Sequence, residues 1–458
     1  MTPSYTVSPA LVKKYNQPVP RYTSYPTVPF WKDELTADQW EQRFTQQFEQ
    51  ENAVNGISIY VHLPFCESLC TYCSCNKTIT RNHSVEETYL QALETEWMMY
   101  RKKMRQAPVI REIHLGGGTP TFFSAANLRR LVLKLVKNSV IHPYYEFSIE
   151  GHPNNTTREQ LDTLYELGFR RISYGVQDVD EEVQRVINRL QPLSQVQTAT
   201  DNARAAGFQA VNFDLIYGLP KQQPATMQRT IEQVLTLKPD RIAFYSYAHL
   251  PWVSPGQRLF SEADLPSPEV KLQLYLQGKE MLTAAGYKDI GMDHFALPHD
   301  TLYQGREKRS LHRNFMGYTT HHTGVLLGLG VSAISDIGIA YSQNQKKLSL
   351  YYDSIRLEQF AVQRGHILSE EDQAFRQYIL DIICAGETSF DPAHIPLLET
   401  RCFPALQEMV SDGLLQLNTE KLQLTAKGFH FVRNICSCFD LHLQGRPQPP
   451  VPQFSTSI

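Results

Sequence analysis

Six short β-rich runs alternate with helical segments, and this alternation constrains the fold more than any other feature of the chain. The runs cover residues 57–63, 112–115, 146–150, 171–176, 210–217 and 241–247. Parallel neighbouring strands need long crossover connections, so the alternation predicts a parallel sheet. Six such units in sequence predict an α/β fold built as a partial (β/α)6 barrel, related to the (β/α)8 plan.

The segments between these runs carry a helical pattern. In segment 85–103, Leu90, Leu93, Trp97 and Tyr100 follow a spacing that places them on one helix face. Segments 194–206 and 225–237 separate later strands in the same way. Each strand is therefore expected to be followed by a helix that covers the sheet.

Polar and glycine-rich residues follow each predicted strand. They include a cysteine loop, Gly116-Gly-Gly118-Thr-Pro, Gly151-His-Pro, Gln177-Asp178, Gly218-Leu-Pro and His249-Leu-Pro. Ligands of parallel α/β proteins bind at the carboxyl ends of the strands. These residues are therefore expected to converge on one mouth.

The cysteine loop contains Cys66, Cys70, Cys73 and Cys75, and its first three members have the spacing C-x3-C-x2-C. Three thiolates are one fewer than the number that normally holds an iron–sulfur cube, so one iron would keep an open position. A structural zinc site remains an alternative, although it normally uses two separated pairs of ligands. A disulfide framework is disfavoured because the chain has only 8 cysteines in 458 residues and no apolar secretion signal at its N-terminus.

The other cysteines give weaker signals. Cys384 and Cys402 are expected in the core. Cys436 and Cys438 are either a buried apolar pair or, less in keeping with their lack of further ligands, a second metal site.

Composition describes an ordinary globular protein. The net charge of −3 gives no electrostatic footprint for nucleic acid, and no apolar stretch is long enough to insert into a membrane. Reduced thiols and the missing signal peptide favour the cytoplasm. A monomer would suffice, because one predicted barrel per chain holds the whole site.

The length suggests more than one domain. We expect an N-terminal arm over residues 1–50 that contributes to the site, the barrel over 51–345, and a small helical domain over 346–458. In the last domain, residues 413–425 resemble a hairpin that turns near Asn418, like a β-wing. A wing is compatible with DNA binding, but the segment lacks a basic stripe, which favours a structural or lid role. The proline-rich tail from Gln444 is expected to be an extended arm.

An open iron needs a ligand with an amine and a carboxylate, and the methionyl end of S-adenosylmethionine supplies both. Gly116–Gly118 would let the backbone approach the methionine moiety. Glu150, at the end of the third run, would bind the ribose hydroxyls.

Nine stretches together resemble the oxygen-independent coproporphyrinogen III oxidase (dehydrogenase) family of the radical S-adenosylmethionine superfamily. They are PRYTSYPT at 20–27, CxxxCxxCxC at 66–75, YGVQD at 174–178, DLIYGLPKQ at 214–222, YAHLP at 247–251, GMDHF at 291–295, LHRNF at 311–315, GVSAIS at 330–335 and RNIC at 433–436. The stretches span nearly the whole chain.

The resemblance implies a 4Fe–4S cluster and two S-adenosylmethionine molecules. Cluster ligands would be Cys66, Cys70 and Cys73. Contacts to the cluster-bound molecule would come from Tyr60, Gly117, Glu150, Ala248 and Ile334, of which Glu150 and Tyr60 are expected to act at the reaction centre. Contacts to the second molecule would come from Tyr72, Gly118, Thr119, Gln177, Arg189 and Asp214. Without the resemblance, Asp214 could merely cap a turn and Arg189 could lie on a helix surface.

Three positions need separate mention. Cys75 belongs to the family's pattern but lies outside the three-ligand set. The family often has Glu-Val-Asp-Pro where this chain has Glu150-Gly151-His152-Pro153, and Gln where it has Met316. A thioether is only a weak hydrogen-bond acceptor, so contacts at Met316 differ from those of an amide.

The resemblance implies that two propionates of coproporphyrinogen III become vinyl groups through a 5′-deoxyadenosyl radical, giving protoporphyrinogen IX in heme biosynthesis. Cations for the substrate carboxylates would be Arg21, His249, Arg258 and Arg313. A flavodoxin- or ferredoxin-like electron donor and an electron acceptor are also implied. The alternatives are a related heme chaperone, which usually lacks PRYTSYPT and has Phe in place of Cys75, and a radical enzyme that modifies heme.

Overall fold

The computed structural model describes residues 8–444 and 454–456 of the chain. The strands of this part, in chain order, are β1 Ile57–Leu63, β2 Phe65–Cys66, β3 Thr78–Ile79, β4 Val109–Gly117, β5 Val140–Gly151, β6 Phe169–Gln177, β7 Ala210–Tyr217, β8 Arg241–Ser246, β9 Lys288–Gly291, β10 His294–Ala296, β11 His312–Asn314, β12 Gly317–Thr319, β13 Val325–Leu329, β14 Ile334–Asp336, β15 Ala340–Asn344, β16 Val362–Ile367, β17 Glu387–Ser389, β18 Leu415–Leu417 and β19 Lys421–Leu424.

The α-helices are α1 Pro9–Tyr15, α2 Ala37–Glu51, α3 Val85–Lys103, α4 Ala125–Val136, α5 Arg158–Glu166, α6 Glu181–Val186, α7 Leu193–Ala206, α8 Pro224–Thr236, α9 Pro268–Ala284, α10 Thr301–Glu307, α11 Leu348–Arg356, α12 Glu370–Ala385, α13 Ile395–Arg401, α14 Phe403–Ser411 and α15 Val432–Ser437. Short 3-10 turns occupy Val28–Phe30, Pro120–Phe122, Pro255–Leu259, Glu262–Asp264, Pro392–His394 and Gly428–Phe431. No described helix combines the length and apolarity needed to cross a bilayer.

A twelve-stranded sheet forms the centre of the molecule, in the order β16-β15-β14-β13-β1-β4-β5-β6-β7-β8-β10-β9. The six predicted strands are β1 and β4 to β8, and they pair in parallel in chain order. The α/β prediction is therefore confirmed. The sheet is mixed, because β13 adds in parallel beside β1 while β14 to β16 and β9 to β10 pair antiparallel at its two ends.

Helix positions follow from local signals. The helix α5 begins with a capping box between Thr157 and Gln160, and α7 ends at Gly207 with a φ of 103°. The predicted apolar face of α3 is buried, and Trp97 is only 1% exposed. The helices thus cover the sheet and leave the carboxyl ends of its strands for a site.

The domain division remains a prediction, and two contacts bear on its limits. The edge strand β16 belongs to the large sheet although it lies beyond residue 345. A second hydrophobic core joins the arm residues Val12, Tyr15, Tyr22 and Tyr25 to the C-terminal helices. The arm therefore packs with the C-terminal segment rather than standing alone.

The predicted hairpin near Asn418 is present as β18 and β19, and β17 completes a three-stranded sheet. Cys402, Cys436 and Cys438 are buried in the second core, where Cys384 also packs, which agrees with an apolar role. Most of the proline-rich tail, residues 445–453, lies outside the described residues.

Candidate active site

A cavity of about 950 Å³ lies where the parallel strands end. Its lining includes these residues predicted for the site: Cys66, Cys70, Tyr72, Cys73, Gly117, Gly118, Thr119, Glu150, Gln177, Arg189 and Asp214. They come from six separate segments of the chain, so the fold brings together residues that the sequence could only place one by one.

The cysteine loop is held by contacts with the segment around α6. Thr71 Oγ1 donates a hydrogen bond to the Val186 carbonyl at 3.2 Å. Asn188 donates to the Leu69 carbonyl at 2.7 Å, and Lys77 donates to the Cys73 carbonyl at 3.1 Å. The loop backbone is therefore fixed by the protein itself.

The thiols of this loop have different environments. Cys66 accepts a hydrogen bond from Thr119 at 3.2 Å, and burial raises the pKa of the Cys66 thiol to about 11. A hydrogen bond with Cys75 lowers the pKa of Cys73 to about 6. Cys70 Sγ accepts a hydrogen bond from Arg189 Nη1 at 3.5 Å.

The spacing of the three sulfurs does not match the spacing around a single zinc ion. A zinc ion binds sulfur at about 2.3 Å, so two sulfurs on one zinc lie no more than about 4.6 Å apart. Among the described residues, only one group has three ligand atoms that all lie within 4.8 Å of one another, and none of these atoms is a cysteine sulfur. The three thiols of the loop do not form such a group in this structure.

The glycines after β4 allow close packing within the protein. A Cβ at Gly118 would lie 2.6 Å from the Pro64 carbonyl, and a Cβ at Gly117 would lie 2.8 Å from the His62 ring. Gly117 also has a φ of 117°. The sequence predicted these glycines for a ligand's approach, and the structure adds that the cysteine segment itself requires them.

Glu150 is positioned by two hydrogen bonds. Its carboxylate accepts from the Gly117 amide at 3.1 Å and lies 3.3 Å from His114 Nε2. His114 in turn bonds Ser148 at 2.8 Å and stacks on Tyr60. Burial raises the pKa of Glu150, but these donors outweigh it and the net shift is downward. Glu150 is therefore an ionised acceptor at neutral pH.

Arg189 and Asp214 lie on the same cavity. Arg189 donates to the Gly175 carbonyl at 2.6 Å and follows α6 rather than lying on a helix surface. Its Nε has no hydrogen-bond partner among the described residues. Burial, followed by the charge of Glu150, raises the pKa of Asp214 to about 7, and Ser173 lies 3.4 Å away. Both side chains have bonding capacity left for a ligand.

Three residues predicted for the site do not line this cavity. Tyr60 stacks behind Glu150 on His114, and its hydroxyl bonds His62 at 3.0 Å. Ala248 is tied to the cysteine loop, because Gln257 donates to the carbonyls of both Ala248 and Tyr72. Ile334 begins β14 and packs against the cluster around Trp31. Their contacts with a cofactor stay predictions.

The four candidate cations differ in whether their nitrogens already have a hydrogen-bond or ion-pair partner. Arg21 pairs with Asp293 at 2.6 Å, and the exposed Arg258 donates to the Pro251 carbonyl at 2.9 Å. His249 bonds the Tyr247 hydroxyl at 3.0 Å. Arg313 is buried, and its Nε and Nη1 have no hydrogen-bond partner among the described residues.

A smaller cavity of about 150 Å³ adjoins the first and shares Glu150, Ser173, Asp214 and Tyr245 with it. Met316 and His114 line this second cavity. His114, Ser173 and Tyr245 were not predicted from the sequence. The available signal was the alternation of side-chain direction along β4, β6 and β8, because every second residue of a strand faces the same side.

Comparison with known proteins decides the family. The family model of the Radical SAM superfamily matches residues 60–234. The oxygen-independent coproporphyrinogen III oxidase of Escherichia coli strain K12 is 41% identical over 455 residues, which is 98% of each chain. This chain belongs to the oxygen-independent coproporphyrinogen III oxidase family. The resemblance inferred from the motifs is confirmed.

Further relatives agree. The oxygen-independent coproporphyrinogen III oxidase of Pseudomonas aeruginosa is 39% identical and covers 94% of this chain and 95% of its own length. The solved structure of coproporphyrinogen III oxidase (HemN) from Escherichia coli, a radical SAM enzyme, superposes with a TM-score of 0.88, 38% identity, and coverage of 96% of this chain and 99% of that one. The arm and the C-terminal segment are thus part of the family's architecture.

Radical SAM enzymes use a 4Fe–4S cluster and S-adenosylmethionine. The residues present fit both groups. Three cysteine thiols on one wall offer the ligands of a cluster with one open iron. The unpartnered Arg189 Nε and the half-buried Asp214 carboxyl offer polar contacts for a charged ligand beside it.

Proposed function

We propose that this protein catalyses the oxygen-independent oxidative decarboxylation of two propionates of coproporphyrinogen III to vinyl groups, which gives protoporphyrinogen IX in heme biosynthesis. The observation that carries the proposal is the convergence of Cys66, Cys70 and Cys73 with Glu150, Arg189 and Asp214 on one cavity. The names of the full-length relatives supply the substrate. Each propionate loses carbon dioxide, one hydrogen atom and one electron.

The cluster and S-adenosylmethionine, when bound, supply a 5′-deoxyadenosyl radical that can remove a hydrogen atom from a propionate. Cys66, Cys70 and Cys73 would hold the iron. Glu150 would bind the ribose hydroxyls, because its two carboxylate oxygens are fixed by Gly117 and His114 and keep further acceptor capacity. Tyr60 would support this placement through its stacking on His114.

A second S-adenosylmethionine molecule would be contacted by Tyr72, Gly118, Thr119, Gln177, Arg189 and Asp214. All six line the main cavity, and Arg189 also approaches Cys70. A ligand held there would lie beside the cluster. Ala248 and Ile334 would serve the first molecule, and Gln257 would keep Ala248 close to the cysteine loop.

Cations of the arm, of the segment after β8 and of β11 would bind the substrate carboxylates. Arg313 is the strongest of the four, since the unpartnered nitrogens of a buried guanidinium favour an anionic partner. Arg21 lies against the ring of Tyr245, which lines both cavities. His249 and Arg258 would act from the segment after β8.

The remaining partners are an electron donor of the flavodoxin or ferredoxin type and an acceptor for the substrate electrons. We infer a cytoplasmic monomer, because the cavity is complete within one chain. The PRYTSYPT segment and Cys75 favour the oxidase over the heme chaperone. Tyr22 and Tyr25 of that segment are buried in the second core, so the segment is built into the fold.

The cluster ligands provide the test. We expect anaerobically reconstituted wild-type protein to hold about four irons per chain and to convert coproporphyrinogen III, followed by porphyrin fluorescence. Cys70→Ser should abolish both cofactor cleavage and decarboxylation. The matched control is Cys384→Ser, because Cys384 packs in the second core away from the cavity. A Cys70→Ser protein that forms 5′-deoxyadenosine at the normal rate would refute the radical mechanism.

A wild-type protein with a full cluster and intact cofactor cleavage but no decarboxylation would contradict the substrate assignment instead. The two readouts therefore separate a wrong chemistry from a wrong substrate.

A further inference from the structure

A second group of metal-ligating side chains lies outside the active site. It comprises His366 on β16, Asp372 in the first turn of α12, and His442 in the segment after α15. None of the three lines the main cavity or the adjoining one. We name this group the histidine–aspartate triad.

The ligand atoms of the triad converge. His366 Nε2 lies 3.0 Å from one Asp372 oxygen, and His442 Nε2 lies 2.6 Å from the other. All three ligand atoms lie within 4.8 Å of one another. Ligands of one zinc ion sit about 2.0 to 2.2 Å from the metal, so neighbouring ligand atoms lie roughly 3 to 4 Å apart. Small adjustments of the rings would place a cation between them.

The protein holds each member of the triad in place. Asp372 is fixed by a capping box, in which it accepts from the Ser369 amide at 3.1 Å and donates its own amide to Ser369 Oγ at 3.0 Å. The His366 backbone pairs with Tyr341 in the sheet. The His442 ring stacks on Phe30 at 6.1 Å between centroids. The donors are therefore preorganised, which lowers the cost of binding.

The triad also leaves access for a cation and for water. The side chains of His366, Asp372 and His442 are 16%, 9% and 28% exposed, so the group is neither sealed nor fully on the surface. Two imidazoles and one carboxylate with a free position form a donor set that first-row divalent metals take.

Without metal, the two imidazoles share one carboxylate by hydrogen bonds. Each ring then carries a proton on Nε2, and a metal at Nε2 requires this proton to leave or to move to Nδ1. Neither Nδ1 has a hydrogen-bond partner among the described residues, so both can accept the proton without losing a contact.

We propose that His366, Asp372 and His442 bind one divalent first-row cation, with Zn²⁺ as the best match, and that water completes its coordination. The ion would fasten three segments that are distant in sequence: the sheet edge at β16, the start of α12, and the chain after α15. The arm would be fastened as well, since Tyr25 and Phe30 pack on the His442 ring. The site would be structural and separate from the iron ligands.

The test uses the full-length protein with its iron–sulfur cluster loaded under anaerobic conditions. Zn²⁺ is added, free metal is removed, and zinc and iron are counted by mass spectrometry. We expect about one zinc per chain with the iron content unchanged, and a rise in the unfolding temperature. His366→Gln and His442→Gln should each weaken zinc affinity by about tenfold or more.

The matched control is His299→Gln. His299 also pairs with a carboxylate, at 3.0 Å from Asp240, but it has no second histidine there. Zinc binding in this variant should equal that of the wild type. Asp372→Asn provides a further check, since an amide oxygen can keep the helix cap but cannot supply a charged ligand.

The proposal is overturned if wild-type protein retains no more zinc than His442→Gln, or if zinc is taken up only as iron is lost. If His299→Gln loses as much zinc as His442→Gln does, the zinc is bound by surface histidines in general, and the proposal is likewise overturned. Each readout is independent of decarboxylase activity, so the result does not depend on the proposed substrate.

Discussion

Met316 is the residue at which this chain departs from the family's usual glutamine. It lies in the turn between β11 and β12, where its amide donates to the Asn314 side chain at 2.9 Å, and it lines the smaller cavity. The same cavity contains Glu112, Arg171 and other polar groups, so the thioether is an apolar group in a polar lining.

We predict that Met316→Gln folds normally and keeps activity within about tenfold, a change of roughly 1.4 kcal/mol in the barrier. Methionine and glutamine have similar lengths, and Arg171 Nη1, which lies 3.6 Å from Asp300 but makes no hydrogen bond among the described residues, could donate to the new amide oxygen. The measurements are thermal unfolding and the rate of protoporphyrinogen formation. A larger loss of activity with normal folding would show that substrate or cofactor contacts the thioether itself.

Asp214 should make stability depend on pH. Burial, followed by the charge of Glu150, raises its pKa to about 7 from the ordinary value of 3.8. The folded protein therefore keeps a proton that the unfolded chain releases, and stability contributed by the protonated form is lost as pH rises through this range.

We predict that Asp214→Asn reduces the loss of stability between about pH 4 and about pH 7, measured by urea unfolding of the cluster-free protein. An amide cannot ionise, so the penalty of a buried charge disappears. The exposed Asp162, which pairs with Arg158, gives the control variant Asp162→Asn. Parallel pH curves for wild type and Asp214→Asn would contradict the inferred burial cost.

At the scale of elements, α3 is tied to the strands beside it through one carboxylate. Glu96 accepts from the Gly330 amide at 2.7 Å, the Asn344 side chain at 2.6 Å and the Tyr351 hydroxyl at 2.8 Å. All three partners are donors. Gly330 begins the segment that leads into β14 and Ile334, so this carboxylate also supports a part of the site.

We predict that Glu96→Gln destabilises the protein by about 2 kcal/mol at about pH 8, where the carboxylate is ionised. Burial raises the pKa of Glu96 to about 7, so the charged form prevails only above that value. The amide nitrogen of glutamine would replace one of the two accepting oxygens and would therefore meet a group that donates in the native structure. Denaturant unfolding gives the measurement. Glu94→Gln, on the same helix in an ion pair with Arg130, should change stability by no more than about 0.5 kcal/mol.

The parallel strands could be predicted from sequence because β1 and β4 to β8 are apolar runs separated by clear helical patterns. The short strands β9 to β12 and β14 to β16 could not, because three to six residues carry too little periodicity. The strand β13 could not be placed either, because nothing local shows that Val325–Leu329 pairs beside β1.

Prediction of the site divided in a similar way. Cys66 and Gly117 belong to motifs whose spacing carries the chemistry, and the structure places both on the cavity. The positions of His114 and Tyr245 depend on which face of a strand turns inward, and that is set by tertiary packing. The histidine–aspartate triad was not predicted, because its members come together only when the C-terminal segment returns to the edge of the sheet.

At the scale of the whole molecule, two hydrophobic cores are joined by the arm. One core lies around the sheet, and the second joins the arm to the C-terminal helices. The Tyr22 hydroxyl bonds Asp440 at 3.1 Å, and Asn434 donates to the Tyr15 carbonyl at 2.8 Å. The C-terminal segment therefore helps to hold the arm, which presents Arg21 near the cavities.

Arg433 makes the most extensive of these connections. It is 7% exposed and donates to the carbonyls of Val19 and Pro20 in the arm, as well as to the carbonyl of Thr456 at 2.8 Å. One side chain thus links residues 19 and 20 of the arm to the end of the described chain. Hydrogen bonds from a charged donor to buried carbonyls contribute about 1.5 to 3 kcal/mol each.

We predict that Arg433→Met releases the arm while the barrel stays folded. The substitution fills much of the same volume but leaves the Val19 and Pro20 carbonyls without this donor, so hydrogen exchange should increase over residues 19–25 and remain unchanged in β4 to β7. Decarboxylation should fall because Arg21 is no longer held beside Tyr245, whereas iron content and cofactor cleavage should persist. The control Arg401→Met removes only an exposed contact with Gln444. Unchanged exchange in the arm, or equal loss of iron and activity, would show that Arg433 serves the stability of the C-terminal core and not the placement of the arm.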